Sequence, residues 1–125
     1  MSLRIASTAA LLALLALPGH TQDSRRIRFA RGATSATVEG AVVRGERARY
    51  RLGARAGQRL RVFIRAAEGN AVFQLLAPGG RPLPGAGEMD DARRWSGVLP
   101  ATGDYTVVVG GTRGNAAYRL TVAIP

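Results

Sequence analysis

The sequence predicts an all-β protein, a single antiparallel β-sandwich of about eight strands. Three observations carry this. From Arg26 onward, apolar and polar residues alternate with the period of a strand that buries one face. Glycine-rich turns break the alternation roughly every 8–12 residues, the spacing of sandwiches. No stretch shows an apolar period near that of a helix, and 16 Gly in 125 residues leave little room for long helices.

Residues 1–22 read as a secretory signal. Arg4 supplies a positive start, Ala9 to Leu17 (AALLALLAL) is an unbroken apolar run, and Pro18 and Gly19 end it. The run falls short of the ~20 apolar residues that span a bilayer. The expected organisation is therefore a signal over 1–22 and one sandwich domain over 23–125. That domain is exported, to the periplasm or out of the cell, with no transmembrane segment once the signal is removed.

The strands follow in order. Arg26–Ala30 places Ile27 and Phe29 on one face. Thr37–Val43 (TVEGAVV) comes next, and Arg44-Gly45-Glu46 turns the chain. Ala48, Tyr50 and Leu52 share a face in ARYRL. Gly53–Gln58 (GARAGQ) reads as a hairpin turn into LRVFIRA, where Leu60, Val62, Ile64 and Ala66 share a face. Gly69-Asn70 is a second hairpin signal. Ala71–Leu76 is apolar enough to be a central strand. Ala77–Glu88 holds three of the six prolines, so it is an irregular connection with at most a short edge piece. Arg94–Leu99 resumes extended structure, and Pro100–Asp104 turns. Tyr105–Val109 and Ala117–Ile124 close the domain as a last hairpin with a tip at Gly110–Asn115. Trp95, the sole Trp, is expected to anchor the core rather than to stack on a ligand. Tyr105 follows a Gly-Asp turn, where the hydroxyl of a sandwich tyrosine returns to upstream backbone.

The chemistry of bond-making is missing. There is no Cys, and the sole His, His20, lies in the segment expected to be removed. Nucleophilic Ser-His-Asp and Cys-His systems are excluded, as are zinc sites built from His or Cys. Glu88, Asp90 and Asp91 gather in one loop. They either offer oxygens to calcium or form a solvated acidic turn balanced by Arg93 and Arg94, and the spacing is not that of an EF-hand. No phosphate-binding glycine loop follows a strand. The expectation is a binding protein, not an enzyme, with no catalytic residue, cofactor or metal.

Charge is the remaining signal. The chain carries 18 basic residues, every one an Arg, against 8 acids, a net charge of +10. Such a surface favours anionic partners. Nucleic acid is not expected, since no basic recognition helix or aromatic ladder is present. Arg47, Arg49 and Arg51 alternate with the apolar residues of one strand; Arg59, Arg61 and Arg65 do so in the next. Were Gly53–Gln58 a hairpin with Leu52 opposite Leu60, all six would share one outer face with Phe63. That face reads either as a solvated guard against edge aggregation or as a site for an anionic envelope polymer.

The run from Ile27 to Val62, with WSGVLPATGDYTVVV and AAYRLTVAI, resembles two related families across nearly all of residues 27–124. One is the bacterial pre-peptidase C-terminal domain, whose marks are matched by Gly45 with Tyr50, by Ala56-Gly57-Gln58 and by Leu99 to Tyr105. The other is the periplasmic inhibitor of g-type lysozyme, which shares the turn and the terminal pair of strands. The resemblance implies a jelly-roll-like sandwich. On the inhibitor side it implies a protein partner, a lysozyme, met by loops at one end. The inhibitor pattern has a longer, Arg-rich loop between its last two strands. Here only Thr112, Arg113 and Asn115 remain at the tip as candidate partner-binding side chains, so the tip is either a trimmed inhibitory loop or a tight turn.

Overall fold

The computed structural model describes residues 24–125; the expected signal, including Arg4 and His20, lies outside them. Eight strands are present among the described residues: β1 (Ser24–Arg26), β2 (Ser35–Val42), β3 (Arg47–Ala54), β4 (Arg59–Ala66), β5 (Ala71–Leu76), β6 (Arg94–Val98), β7 (Gly103–Gly111) and β8 (Ala116–Ala123). They form two four-stranded sheets, ordered β1-β3-β7-β5 and β2-β8-β4-β6. All ladders are antiparallel except β1–β3, which is parallel. The predicted all-β sandwich is the observed fold.

Odd-numbered strands make one sheet and even-numbered strands the other, so every connection crosses between layers. This corrects each hairpin read from the sequence. β3 and β4 do not pair, β4 and β5 do not pair, and β7 and β8 do not pair. Alternation specifies only which face is buried. A hairpin would set Leu52 beside Leu60 on one sheet. The crossing instead sets the buried Tyr50 and Leu52 in one sheet and Leu60 and Val62 in the other. The turn at Arg55–Gln58 is held by its neighbours rather than by a β3–β4 ladder. Gly57 N donates to Leu99 O, Leu99 N to Gln58 O, and Ala56 N to Thr102 Oγ1.

Two further expectations shift. β1 ends at Arg26, earlier than the predicted strand, although Ile27 still enters the core and Phe29 packs against it. β5 is not central but the last strand of its sheet. Its apolar character follows from a cover: Pro82–Ala92 runs along its open edge. Leu83 N donates to Leu75 O, Leu75 N to Ala86 O and Phe73 N to Ala92 O. The proline-rich connection thereby shields the edge from pairing with another chain.

Trp95 is half-buried against the core at the sheet margin. Its indole N–H donates to Pro84 O at 2.8 Å. Tyr105 is fully buried and behaves as expected: its hydroxyl donates to Ala101 O at 2.6 Å and accepts from Ala101 N at 3.1 Å. Tyr105→Phe strands both backbone groups in a partly buried corner. The expected loss is about 1–3 kcal/mol in urea unfolding at an unchanged slope.

The Arg26 guanidinium donates to both Asp104 carboxylate oxygens, at 3.1 and 2.8 Å, and Arg51 comes within 4.0 Å. The hydrogen bond from Arg26 is the main reason the Asp104 carboxyl titrates below its ordinary range. Stability from this pair is present above the ordinary aspartate range and is lost as pH falls through the depressed value. Asp104→Asn should flatten that part of the acid limb, read as thermal midpoint against pH.

Candidate functional site

Three connections meet at one end of the sandwich: 43–46 between β2 and β3, 67–70 between β4 and β5, and 112–115 between β7 and β8. Asn70 joins them. It is buried, 2% exposed, beneath exposed neighbours. Its Nδ2 donates to Arg113 O at 3.1 Å and to Asn115 O at 3.0 Å. Its backbone carbonyl accepts from Thr112 N at 2.9 Å. Asn115 Oδ1 then accepts from Arg44 N at 3.0 Å, and the Arg113 guanidinium donates to Glu68 O at 3.0 Å.

Thr112, Arg113 and Asn115 are therefore all exposed at this end, but on a short, pinned arch rather than a free hairpin tip. The Thr112 hydroxyl, the Asn115 amide donor and the remaining Arg113 N–H groups have no side-chain partner among the described residues. Beside the arch lies a shallow, mainly apolar cleft lined by Ala41, Val43, Ala67, Glu68, Asn70 and Asn115. Val43 at its rim is 47% exposed. The Asn70 Oδ1 atom is buried with no hydrogen-bond partner among the described residues. Nothing in the local sequence announces Asn70 as the organiser: Gly69-Asn70 reads as turn chemistry, and its partners lie more than forty residues away.

The six arginines predicted to share a face are split. Arg47, Arg49 and Arg51 belong to β3 in one sheet, and Arg59, Arg61 and Arg65 to β4 in the other. Leu52 lies opposite Tyr105, not Leu60. On the β3 side, Arg51 reaches Asp104, and Arg47 borders a concavity that also holds Glu46, Gln74, Glu88 and Asp91. The sequence gathers Glu88 and Asp91 in one loop; the β5 cover sets that loop on the same concavity as Glu46. Asp90 is occupied locally, accepting from Gly87 N at 2.7 Å. Among the described residues, no group of three His, Cys, Asp or Glu side chains is placed to hold a metal ion.

On the β4 side the outward rows are Glu39–Arg119–Arg65, Thr37–Thr121–Phe63–Arg94 and Ser35–Ala123–Arg61–Ser96. Arg94 and Arg119 thus join the β4 arginines, which no hairpin register could indicate. Glu39 accepts from Arg119 at 2.7 Å. Among the described residues, no helix is long and apolar enough to cross a membrane.

No protein-family model matches the chain, and no curated protein matches it. Solved structures do. Aeromonas hydrophila PliG, a periplasmic lysozyme inhibitor of g-type lysozyme, is 33% identical with a TM-score of 0.69, over 82% of this chain and 96% of that one. The Salmonella Typhimurium PliG is 26% identical with a TM-score of 0.65, over 84% of this chain and all of that one. The pre-peptidase C-terminal domain of a Bacillus anthracis collagenase, 15% identical with a TM-score of 0.60 over 81% and 95%, shares the fold. At 33% identity over 82% of this chain and 96% of the Aeromonas protein, this chain belongs to the PliG family.

Proposed function

We propose that this protein is an exported, periplasmic, non-catalytic inhibitor that binds a g-type lysozyme. The observation that carries the reading is the 33% identity over 96% of an Aeromonas protein whose function is that inhibition. The three-connection end is the proposed docking surface. It combines an apolar cleft with pinned donors, and Thr112, Arg113 and Asn115 are its partner-binding side chains. Pinning favours binding, because a preorganised loop loses little conformational entropy on association. The Arg113 N–H groups not engaged by Glu68 O remain to donate to acceptors of a partner.

The test is cell-wall lysis by a goose-type lysozyme, with the purified protein titrated in. Inhibition should saturate at one inhibitor per enzyme. Arg113→Ala should raise the half-inhibitory concentration about tenfold or more, the size expected of a central arginine contact. Undiminished lysis at micromolar protein refutes the reading.

A further inference from the structure

We propose that the outer face of the β2-β8-β4-β6 sheet is a second binding surface, one for an acidic polysaccharide. The face collects Arg59, Arg61 and Arg65 from β4, Arg94 from β6 and Arg119 from β8 around Phe63. Of these, only Arg119 has a carboxylate within 4.0 Å among the described residues. Arg65 and Arg119 stand directly opposite each other. Like charges in that arrangement are destabilising, by up to ~1 kcal/mol per pair.

General arginine richness does not account for this. The other sheet's outer face carries arginines too, but Arg26 and Arg51 share Asp104 and Arg47 lies beside Glu46. Asp104, Glu46, Glu88 and Asp91 stand among or beside the arginines of that face, whereas Glu39 is the acid in the rows of the β4 side.

The shape narrows the occupant. A groove of about 470 Å³ runs between β4 and β6, lined by Arg61, Phe63, Arg65, Arg94 and Trp95. Phe63 is 36% exposed within it, and the Arg65 guanidinium lies 5.8 Å from its ring centroid. A chain can lie along the groove with Phe63 and the guanidinium groups beside it. Arg59 to Arg65 covers about 20 Å of strand, long enough for several sugars. Sugar C–H faces pack on the aromatic ring, and carboxylates accept the planar forks of guanidinium.

This surface lies on a sheet face, separate from the end proposed to meet lysozyme, so the two are separable by mutation. The probe is an alginate oligosaccharide, a chain of uronic acids, titrated calorimetrically against the intact protein. Dextran, polyphosphate and phosphatidylglycerol vesicles form the comparison arms. Alginate should bind and dextran should not, and binding should weaken as ionic strength rises. The double variant Arg61→Glu/Arg94→Glu should lose about tenfold or more in affinity. Phe63→Ser should lose about threefold for alginate, a fraction of an aromatic contact's worth. Arg49→Glu on the opposite face should bind as the parent does. Lysozyme inhibition should survive the double variant. Absence of alginate binding at low ionic strength overturns the proposal. So does indifference of alginate affinity to Phe63→Ser with polyphosphate binding equally well, which marks a plain charge sink. Tighter binding to vesicles assigns the face to lipid, and loss of lysozyme inhibition in the double variant assigns it to the enzyme; either result also refutes it.

Discussion

Replacing Gly40 with alanine should lower stability by about 1–3 kcal/mol, the cost of forcing atoms into a filled core. Gly40 sits in the middle of β2, opposite Tyr118 in β8. A Cβ there would lie 2.6 Å from the Tyr118 hydroxyl oxygen, 2.8 Å from its Cζ and 3.1 Å from the Tyr50 hydroxyl oxygen. The missing side chain makes room for a phenol pair that joins the two sheets. Tyr50 comes from one layer and Tyr118 from the other, and their hydroxyls share a buried hydrogen bond. The Arg25 guanidinium covers the Tyr50 ring at 5.8 Å, closing the seam from outside. Burial, then the bond to Tyr50, pushes the Tyr118 hydroxyl above its ordinary range. Stability should therefore fall as pH rises past the ordinary tyrosine value, because the unfolded chain ionises there first.

Urea unfolding checks the alanine variant, with a lower midpoint at an unchanged slope. Adding Tyr118→Leu should relieve the clash, so the double variant costs less than the two single changes together, by roughly 0.5–3 kcal/mol. Gly110→Ala is the control. Nothing lies within 4 Å of its added Cβ, so it should be neutral or slightly stabilising. Equal effects at Gly40 and Gly110 would remove the packing argument.

The contrast between these glycines shows where legibility in the sequence stops. Strand positions and buried faces were readable, because alternation reports burial residue by residue: Leu60, Val62 and Ile64 are in the core as expected. The Tyr105 corner was readable because its partner is four residues away. Which strand pairs with which was not. A turn such as Gly53–Gln58 satisfies its backbone groups equally well in a hairpin or an arch, and the choice is made by residues such as Leu99 and Thr102, far along the chain. The arginine face suffered for the same reason. The alternation of Arg59, Arg61 and Arg65 was visible, but their company of Arg94 and Arg119 depended on long-range pairing. The candidate tip is legible as composition, Thr112 to Asn115; its fastening through Asn70 spans 43 to 45 residues and leaves no local trace.

That fastening makes Asn70→Asp the most informative single change at the docking end. The side chain keeps its size but exchanges the amide that donates to Arg113 O and Asn115 O for an acceptor. An ionised carboxylate would face two carbonyls at a site 2% exposed. The expected loss is about 3 kcal/mol or more, since a buried charge is left without a partner. Asn70→Ala removes the same two bonds without adding charge, and water can reach the exposed arch, so about 1–2 kcal/mol is expected. The order of the two variants is the test: a fastening by donation makes Asp worse than Ala. The aspartate variant should also regain stability as pH falls, because a protonated carboxyl can again donate to one of the carbonyls. Mere loss of a turn former predicts the opposite ranking, for Asp tolerates turns better than Ala does. Under the inhibitor reading, Asn70→Ala should weaken lysozyme inhibition about tenfold at temperatures where the sandwich remains folded. It frees Thr112, Arg113 and Asn115 without altering any of them. Retained stability in Asn70→Asp would mean that the three connections hold their positions without this residue.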